Sequence, residues 1–256
     1  MDEGLSVGIE NGVARLRLTR PESRNSLTRS VCALLHAALT AAADDPQCRA
    51  VVIEGSGGSF ASGADLAELE RLRGARSELL AMYRELRATQ ELLYGLDRPT
   101  IAAIDGFCFG AGLSLALACD LRLASSRSVF SASPARLGLI YSDREVWRLA
   151  LRIGTARTRD LLFTGRRVEA VEALQLGLVE RMTDSGSFAA ALDEVLGQFT
   201  SCSQNSLRKS KEQVLRLERE GPRGIGGDGA AEESFFEPDA AEGMAAFLER
   251  RTPRFS

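Results

Sequence analysis

Two scarcities set the first limits on what this chain does. It has a single histidine, His36, and of its 32 basic residues only Lys209 and Lys211 are lysines. A Ser-His-Asp triad or a histidine-rich metal site would rest wholly on His36, which lies in the helical pattern SLTRSVCALLHAALTAAADD and reads as an ordinary helix residue. The shortage of lysine reads as genomic composition rather than arginine-specific recognition. The five cysteines, Cys32, Cys48, Cys108, Cys119 and Cys202, are odd in number and show no CxxC spacing, which argues against both a zinc site and a disulfide framework. They fall mostly in apolar runs, where cysteine packs as a small hydrophobe, so reduced thiols and a cytoplasmic setting are expected. No run of about 18 uncharged apolar residues occurs, and the opening MDEGLSVGIENG has no basic segment leading into an apolar one, so neither membrane insertion nor export is expected.

What is present describes a globular protein. The 256 residues suit one α/β domain with a short helical appendage, and the hydrophobic fraction of 45% and charged fraction of 26% are ordinary for a folded chain. A net charge of −3 offers no general attraction to nucleic acid or an anionic membrane, so neither partner is expected.

The pattern along the chain alternates strand and helix. In VGIENGVARLRL an Asn-Gly pair between two alternating stretches predicts a tight hairpin at Asn11-Gly12. Apolar spacing predicts a helix from Ser26, as cap, to about Ala43, and then a buried strand over Arg49–Glu54. After the glycine-rich GSGGSFASGAD, helices are predicted over Leu66–Arg73 and Ser77–Tyr94. Pro99–Ile104 is a second buried strand, followed by the glycine-rich Gly106–Gly110 and an apolar helix over Ala111–Ala118. Short strands at Asp120–Ala124 and Val129–Ser131 precede helices over Arg144–Ile153, Ala156–Phe163, Val168–Leu176 and Ser187–Phe199. In the helical tail, Gly221–Gly229 reads as a flexible linker and Pro238–Arg250 as a last amphipathic helix.

Both glycine-rich turns open helices, where backbone N–H groups lack intrahelical partners and the helix dipole favours negative charge. Neither turn fits GxxxxGK[ST], and Gly106–Gly112 lacks ordered GxGxxG spacing, which argues against nucleotide phosphate as the ligand.

Ser59-Phe-Ala-Ser-Gly-Ala-Asp-Leu66 and Ile101-Ala-Ala-Ile-Asp-Gly-Phe-Cys-Phe-Gly-Ala-Gly-Leu-Ser-Leu-Ala-Leu-Ala-Cys-Asp120 resemble, in order and separation, the paired signatures of the enoyl-CoA hydratase/isomerase (crotonase) family. Arg20-Pro-Glu-Ser-Arg-Asn25, Leu137-Gly-Leu139, Thr164-Gly165, Glu172–Val179 and Glu242–Arg251 extend the similarity over almost the whole chain. The resemblance implies an α/β fold, a spiral of repeated ββα turns over residues 1–195 with the acyl-CoA site, and a C-terminal helical region, 196–256, that assembles trimers or a dimer of trimers. It places oxyanion-hole amides on Ala64 and Ala111, to hold a thioester carbonyl as an enolate forms. It places the CoA moiety against Arg24, Ser62, Gly63, Asp65, Leu66 and Gly110, with Phe247 and Arg250 approaching from the last helix. CoA enters as part of the substrate, and no other cofactor or metal is implied.

The chain departs from the family pattern at two positions. Hydratases of this family resemble one another in two glutamates that activate water, and here the corresponding positions are Ser114 and Pro134. Without those groups, each typically worth about 10²–10⁴ in rate, standard hydration is not the expected reaction. Enolate chemistry that needs little acid–base help stays open: double-bond isomerisation, or decarboxylation of a (methyl)malonyl-type thioester, for which Leu137-Gly-Leu-Ile-Tyr141 is similar to the decarboxylases' Leu-Gly-x-x-Tyr. Tyr141, Asp143 and Ser114 are the candidate catalytic side chains, with Glu145 beside them. Asp143 either moves a proton or caps the next helix, and Ser114 either orients substrate or packs its helix. A non-catalytic acyl-CoA-binding subunit is the competing reading.

Overall fold

The computed structural model describes residues 4–227 and 229–255; Asp228, within the predicted linker, lies outside the described residues. The hairpin forms as expected. β1 (Leu5–Glu10) and β2 (Val13–Leu18) pair antiparallel, with Glu10 opposite Val13. Asn11 and Gly12 both take positive φ, 52° and 77°, as the turn requires. Helix α1 (Arg29–Asp44) follows, and here the predicted cap is corrected. Thr28, not Ser26, accepts the Val31 N–H at 3.2 Å, because the Ser26 hydroxyl is committed to Asp65 Oδ2 at 2.7 Å.

The chain then winds through three strand–strand–helix turns. β3 (Ala50–Gly55) and β4 (Ser59–Ala61) precede α2 (Leu66–Leu72) and α3 (Arg76–Gly95). β5 (Thr100–Ile104) and β6 (Phe107–Phe109) precede α4 (Ala111–Leu117). β7 (Leu121–Ser125) and β8 (Val129–Ser131) precede a 3₁₀ turn at Pro134–Leu137 and α5 (Asp143–Thr164). After them come β9 (Val168–Glu169), α6 (Ala170–Leu176), β10 (Arg181–Thr183), α7 (Phe188–Ser201), α8 (Gln204–Glu220), α9 (Gly229–Ser234) and α10 (Pro238–Glu249). Residues 195 and 196 both lie within α7.

The first strand of each turn joins a six-stranded sheet, β1-β2-β3-β5-β7-β10, and the second joins a four-stranded sheet, β4-β6-β8-β9. Apart from β1–β2 and β8–β9, every pairing is parallel. A parallel strand covered on both faces needs apolar side chains pointing both ways, and the first four residues of β3, Ala50–Ile53, supply them. Val51 and Ile53 enter the main core, while Ala50 and Val52 face a second cluster with Leu192, Val195 and Leu196 of α7.

Four local readings need correction. The glycine-rich Gly106–Gly110 is not wholly a turn, since Phe107–Phe109 pairs with β8, and Ser59–Ala61 is likewise a strand. Val168–Glu169 belongs to β9 rather than to the helix after it. The first half of the predicted linker is a 3₁₀ turn, Gly221–Gly224, tied to α8 by Arg216 Nε donating to the Gly224 carbonyl at 2.7 Å. The predicted interruption within α5 does occur, at Gly154, whose φ and ψ of 78° and 160° are not helical.

Polar side chains lock the C-terminal part onto the spiral. Asp120 Oδ2 accepts from Thr100 N at 2.7 Å, Thr100 Oγ1 at 2.9 Å and Lys211 Nζ of α8 at 2.8 Å. Arg122, on β7 and 1% exposed, donates to the carbonyls of Leu178 and Cys119, each at 3.0 Å, and pairs with Glu180. Removing the guanidinium would orphan these carbonyls and leave Glu180 with the Arg122 backbone N–H at 2.8 Å but no cation. Arg122→Ala should therefore lose about 3–5 kcal/mol of stability, read from chemical denaturation. A loss below about 1 kcal/mol would show that the pair is dispensable.

Candidate active site

The two glycine-rich turns meet. Parallel pairing of β4 with β6 runs their C-terminal ends side by side, so that residues 62–65 and 110–111 emerge next to each other. Gly63 has φ +116°, and a Cβ built there would lie 3.3 Å from the Phe109 carbonyl oxygen and 3.7 Å from the Ala111 nitrogen. Gly110, at φ 51° and ψ −122°, would place its own Cβ 3.8 Å from Gly63 Cα. Glycine at both positions permits these backbone angles and leaves the space between the turns unfilled.

Backbone bonding sets the direction of the Ala64 amide. Leu27 forms a parallel bridge with Ala64, its N–H donating to Gly63 O at 2.8 Å and its carbonyl accepting from Asp65 N at 3.0 Å. In such a bridge the bonds belong to the flanking residues, so the Ala64 N–H points away from Leu27. Ala111 is the first residue of α4, where an amide has no intrahelical acceptor.

The predicted CoA contacts divide into two groups. Ser62, Gly63, Asp65 and Gly110 lie in the two turns; Ser62 N donates to Arg24 O at 2.9 Å and its hydroxyl to Ser23 O at 3.1 Å. Leu66 opens α2 with 54% of its surface exposed. The Arg24 guanidinium lies 5.0 Å above the Phe107 ring, and Arg167, a residue sequence reasoning missed, lies 5.8 Å from the Phe109 ring. Phe107 and Phe109 share one face of β6 by strand alternation, but nothing in the sequence foretold that the β9 approach would bring Arg167 there. Phe247 and Arg250 form the second group, at the far end of α10, where Phe247 is 83% exposed.

The carboxylates near the turns have structural partners. Asp65 caps α2 by accepting Glu68 N at 3.0 Å, and its other oxygen accepts Ser26 Oγ at 2.7 Å and Arg20 Nη1 at 3.2 Å. Burial acts to raise its pKa, but the bonds from Ser26, the Glu68 amide and Arg20 outweigh it and hold the carboxyl below its usual range. Glu145 is buried and closes a capping box with Ser142, accepting the Ser142 N–H and O–H at 2.8 Å each. The helix cap is therefore Ser142, and Asp143 is the exposed first residue of α5.

Ser114 is buried on α4, one turn after Gly110, and Pro134 is buried at the start of its 3₁₀ turn. Tyr141 and Ser114 do come together: Tyr141 Oη donates to the Gly110 carbonyl at 2.9 Å and Ser114 Oγ to the same oxygen at 3.3 Å.

The family follows from comparison over the full chain. Residues 8–256 match the family model described as enoyl-CoA hydratase/isomerase. The chain belongs to the enoyl-CoA hydratase/isomerase family. It is 35% identical over 259 residues to the mitochondrial enoyl-CoA hydratase domain-containing protein 2 of Bos taurus, covering 97% of this chain and 86% of that one. It is 30% identical over 261 residues to a crotonyl-CoA hydratase of Syntrophomonas wolfei, covering 99% and 98%. The crystal structure of an enoyl-CoA hydratase/carnithine racemase from Magnetospirillum magneticum superposes with a TM-score of 0.92 at 28% identity, covering 100% of this chain and 96% of that one. The expected crotonase-like α/β fold with its helical C-terminal region is thus the fold of this family member, an acyl-CoA-binding enzyme.

Burial and the nearby Glu145 charge push the Tyr141 phenol well above its ordinary value near 10. It should remain protonated where free tyrosine ionises, so Tyr141→Phe should leave the 295 nm absorbance at pH 11 unchanged. A decrease in that absorbance would show that Tyr141 had been ionised. The same linkage removes stability as pH climbs from about 10 through the higher folded value, because only the unfolded phenol releases its proton there.

Proposed function

We propose that this enzyme binds a small or medium acyl-CoA and stabilises its thioester enolate between the amides of Ala64 and Ala111, in a reaction other than standard hydration. One observation carries the reading: two backbone amides without partners in their own elements emerge side by side from turns whose glycines leave the intervening space open. A thioester oxygen held there gains negative charge as the enolate forms, and amides already in place stabilise that charge without reorganising.

The side chains favour enolate chemistry with little acid–base assistance. The two positions where related hydratases resemble one another in glutamate are Ser114 and Pro134, and the neighbouring Glu145 carboxylate is held in a helix cap. Decarboxylation of a (methyl)malonyl-type thioester is the second reading, supported by this poverty of free carboxylates, because loss of CO₂ generates the enolate without a base. Isomerisation of a 3-enoyl thioester needs one mobile proton, for which exposed Asp143 is the candidate. We take the substrate's CoA to lie along Ser62–Leu66 and the assembly to be a trimer or dimer of trimers, with α10 carrying Phe247 and Arg250 to the site. Phe235, Phe236, Phe247 and Leu248, all exposed, supply apolar surface for that assembly.

Crotonyl-, 3-enoyl- and methylmalonyl-CoA, followed by mass spectrometry, separate the reactions. One of the latter two should turn over faster than crotonyl-CoA is hydrated, and Ala64→Pro, which removes a proposed donor, should slow that turnover by about 10²–10³. Full activity in Ala64→Pro would contradict the oxyanion assignment, and tight CoA binding with no turnover of any substrate would favour a non-catalytic binder. Arg24→Ala and Arg167→Ala should each weaken CoA binding about tenfold by calorimetry if the guanidiniums meet its phosphates, and unchanged affinity would remove them from the site.

A further inference from the structure

We infer that Tyr141 and Ser114 are positioning residues, which aim and polarise the Ala111 amide by donating hydrogen bonds to the carbonyl at the other end of the same peptide unit. This inference rests on the proposed role of Ala111 as an oxyanion donor.

The Gly110–Ala111 peptide is trans, so its carbonyl and its N–H point in opposite directions. The Gly110 oxygen accepts the helical bond from Ser114 N at 3.0 Å, the Tyr141 hydroxyl at 2.9 Å and the Ser114 hydroxyl at 3.3 Å. Both side chains therefore stand behind the donor peptide, on the side away from the Ala111 N–H. The Gly63–Ala64 peptide offers a contrast, since its carbonyl is anchored by the backbone amide of Leu27 at 2.8 Å. The Gly63 carbonyl thus has a main-chain donor, whereas the Gly110 carbonyl has a main-chain donor and two side-chain donors that substitution can remove.

Two physical effects follow. Gly110 sits outside the helical region and, lacking a side chain, resists rotation of the following peptide less than other residues would. Two hydroxyls on its carbonyl hold that peptide in one orientation. Hydrogen bonds at the carbonyl also draw electron density through the amide resonance and strengthen its N–H as a donor, by roughly 10–30% per bond. The buried phenol stays protonated well above neutrality, so its donated bond persists over the working pH range. The commitment of that proton to Gly110 argues for Tyr141 as a support of the site rather than its general acid.

The test reads polarisation per bound ligand. A cinnamoyl-CoA, whose conjugated carbonyl absorbs at longer wavelength when its oxygen accepts strong hydrogen bonds, should show a red shift on saturating the wild-type protein. Tyr141→Phe, with the affinity for CoA itself unchanged, should reduce that shift by at least roughly 10–30%, and Ser114→Ala should reduce it less. A wild-type shift in Tyr141→Phe would overturn the inference while leaving the oxyanion reading intact. Should Tyr141→Phe fail to bind CoA, Ser114→Ala decides by the same criterion. Absence of any shift in wild-type protein that binds the probe would overturn the oxyanion reading, and this inference with it.

Discussion

The contact between Gly63 and Gly110 is the constraint on which the rest of the structure depends. It sets two turns of the spiral so close that a Cβ built on Gly110 would lie 3.8 Å from Gly63 Cα, and one built on Gly63 would lie 3.9 Å from Gly110 Cα. A side chain at either position would fill the space that the Ala64 and Ala111 amides flank. The contact follows from topology, because each turn of chain gives one strand to each sheet and β4 pairs directly with β6. Consecutive repeats must then deliver their post-strand turns to one edge, and buried apolar strands such as β3 and β5 hold those repeats in register.

Charged groups brace the elements that carry this contact. Asp65 gathers Arg20, Ser26 and the start of α2, Glu145 closes the cap of α5, and Asp120 joins β5 to α8. Each carboxylate already accepts several hydrogen bonds, which commits its oxygens to holding the fold together. The buried thiols are equally unsuited to chemistry, since burial pushes Cys119 up to about 12. Chemistry at such a site falls to the peptide backbone, consistent with the proposed enolate stabilisation and with a reaction that asks little of acids and bases.

Much of this was legible in the sequence where one local signal dominated. Asn11-Gly12 announced its hairpin, the apolar runs announced β3 and β5, and Gly154 announced the break in α5. The three-residue strands β4 and β6 were hidden, because glycine-rich flanks signal turns and only pairing with a neighbouring repeat makes them strands. Ser26 looked like a cap until its hydroxyl was drawn away by Asp65, 39 positions later. Buried Arg122 carried no warning either, since its partners are carbonyls and a glutamate gathered by the fold. For the candidate site, the sequence located both turns, but the direction of their amides depends on Leu27, and the convergence of Tyr141 and Ser114 on Gly110 depends on how α5 follows its 3₁₀ turn.

In the proposed site the Ala64 and Ala111 amides act together on one thioester oxygen. Selective ¹⁵N labelling of alanine allows both N–H groups to be followed by NMR while the protein is saturated with acetyl-CoA and, separately, with CoA that carries no acyl carbonyl. Both amide protons should move downfield with acetyl-CoA, and neither should do so comparably with CoA. Failure of either amide to respond to the acyl carbonyl, with acetyl-CoA bound, would contradict that joint action.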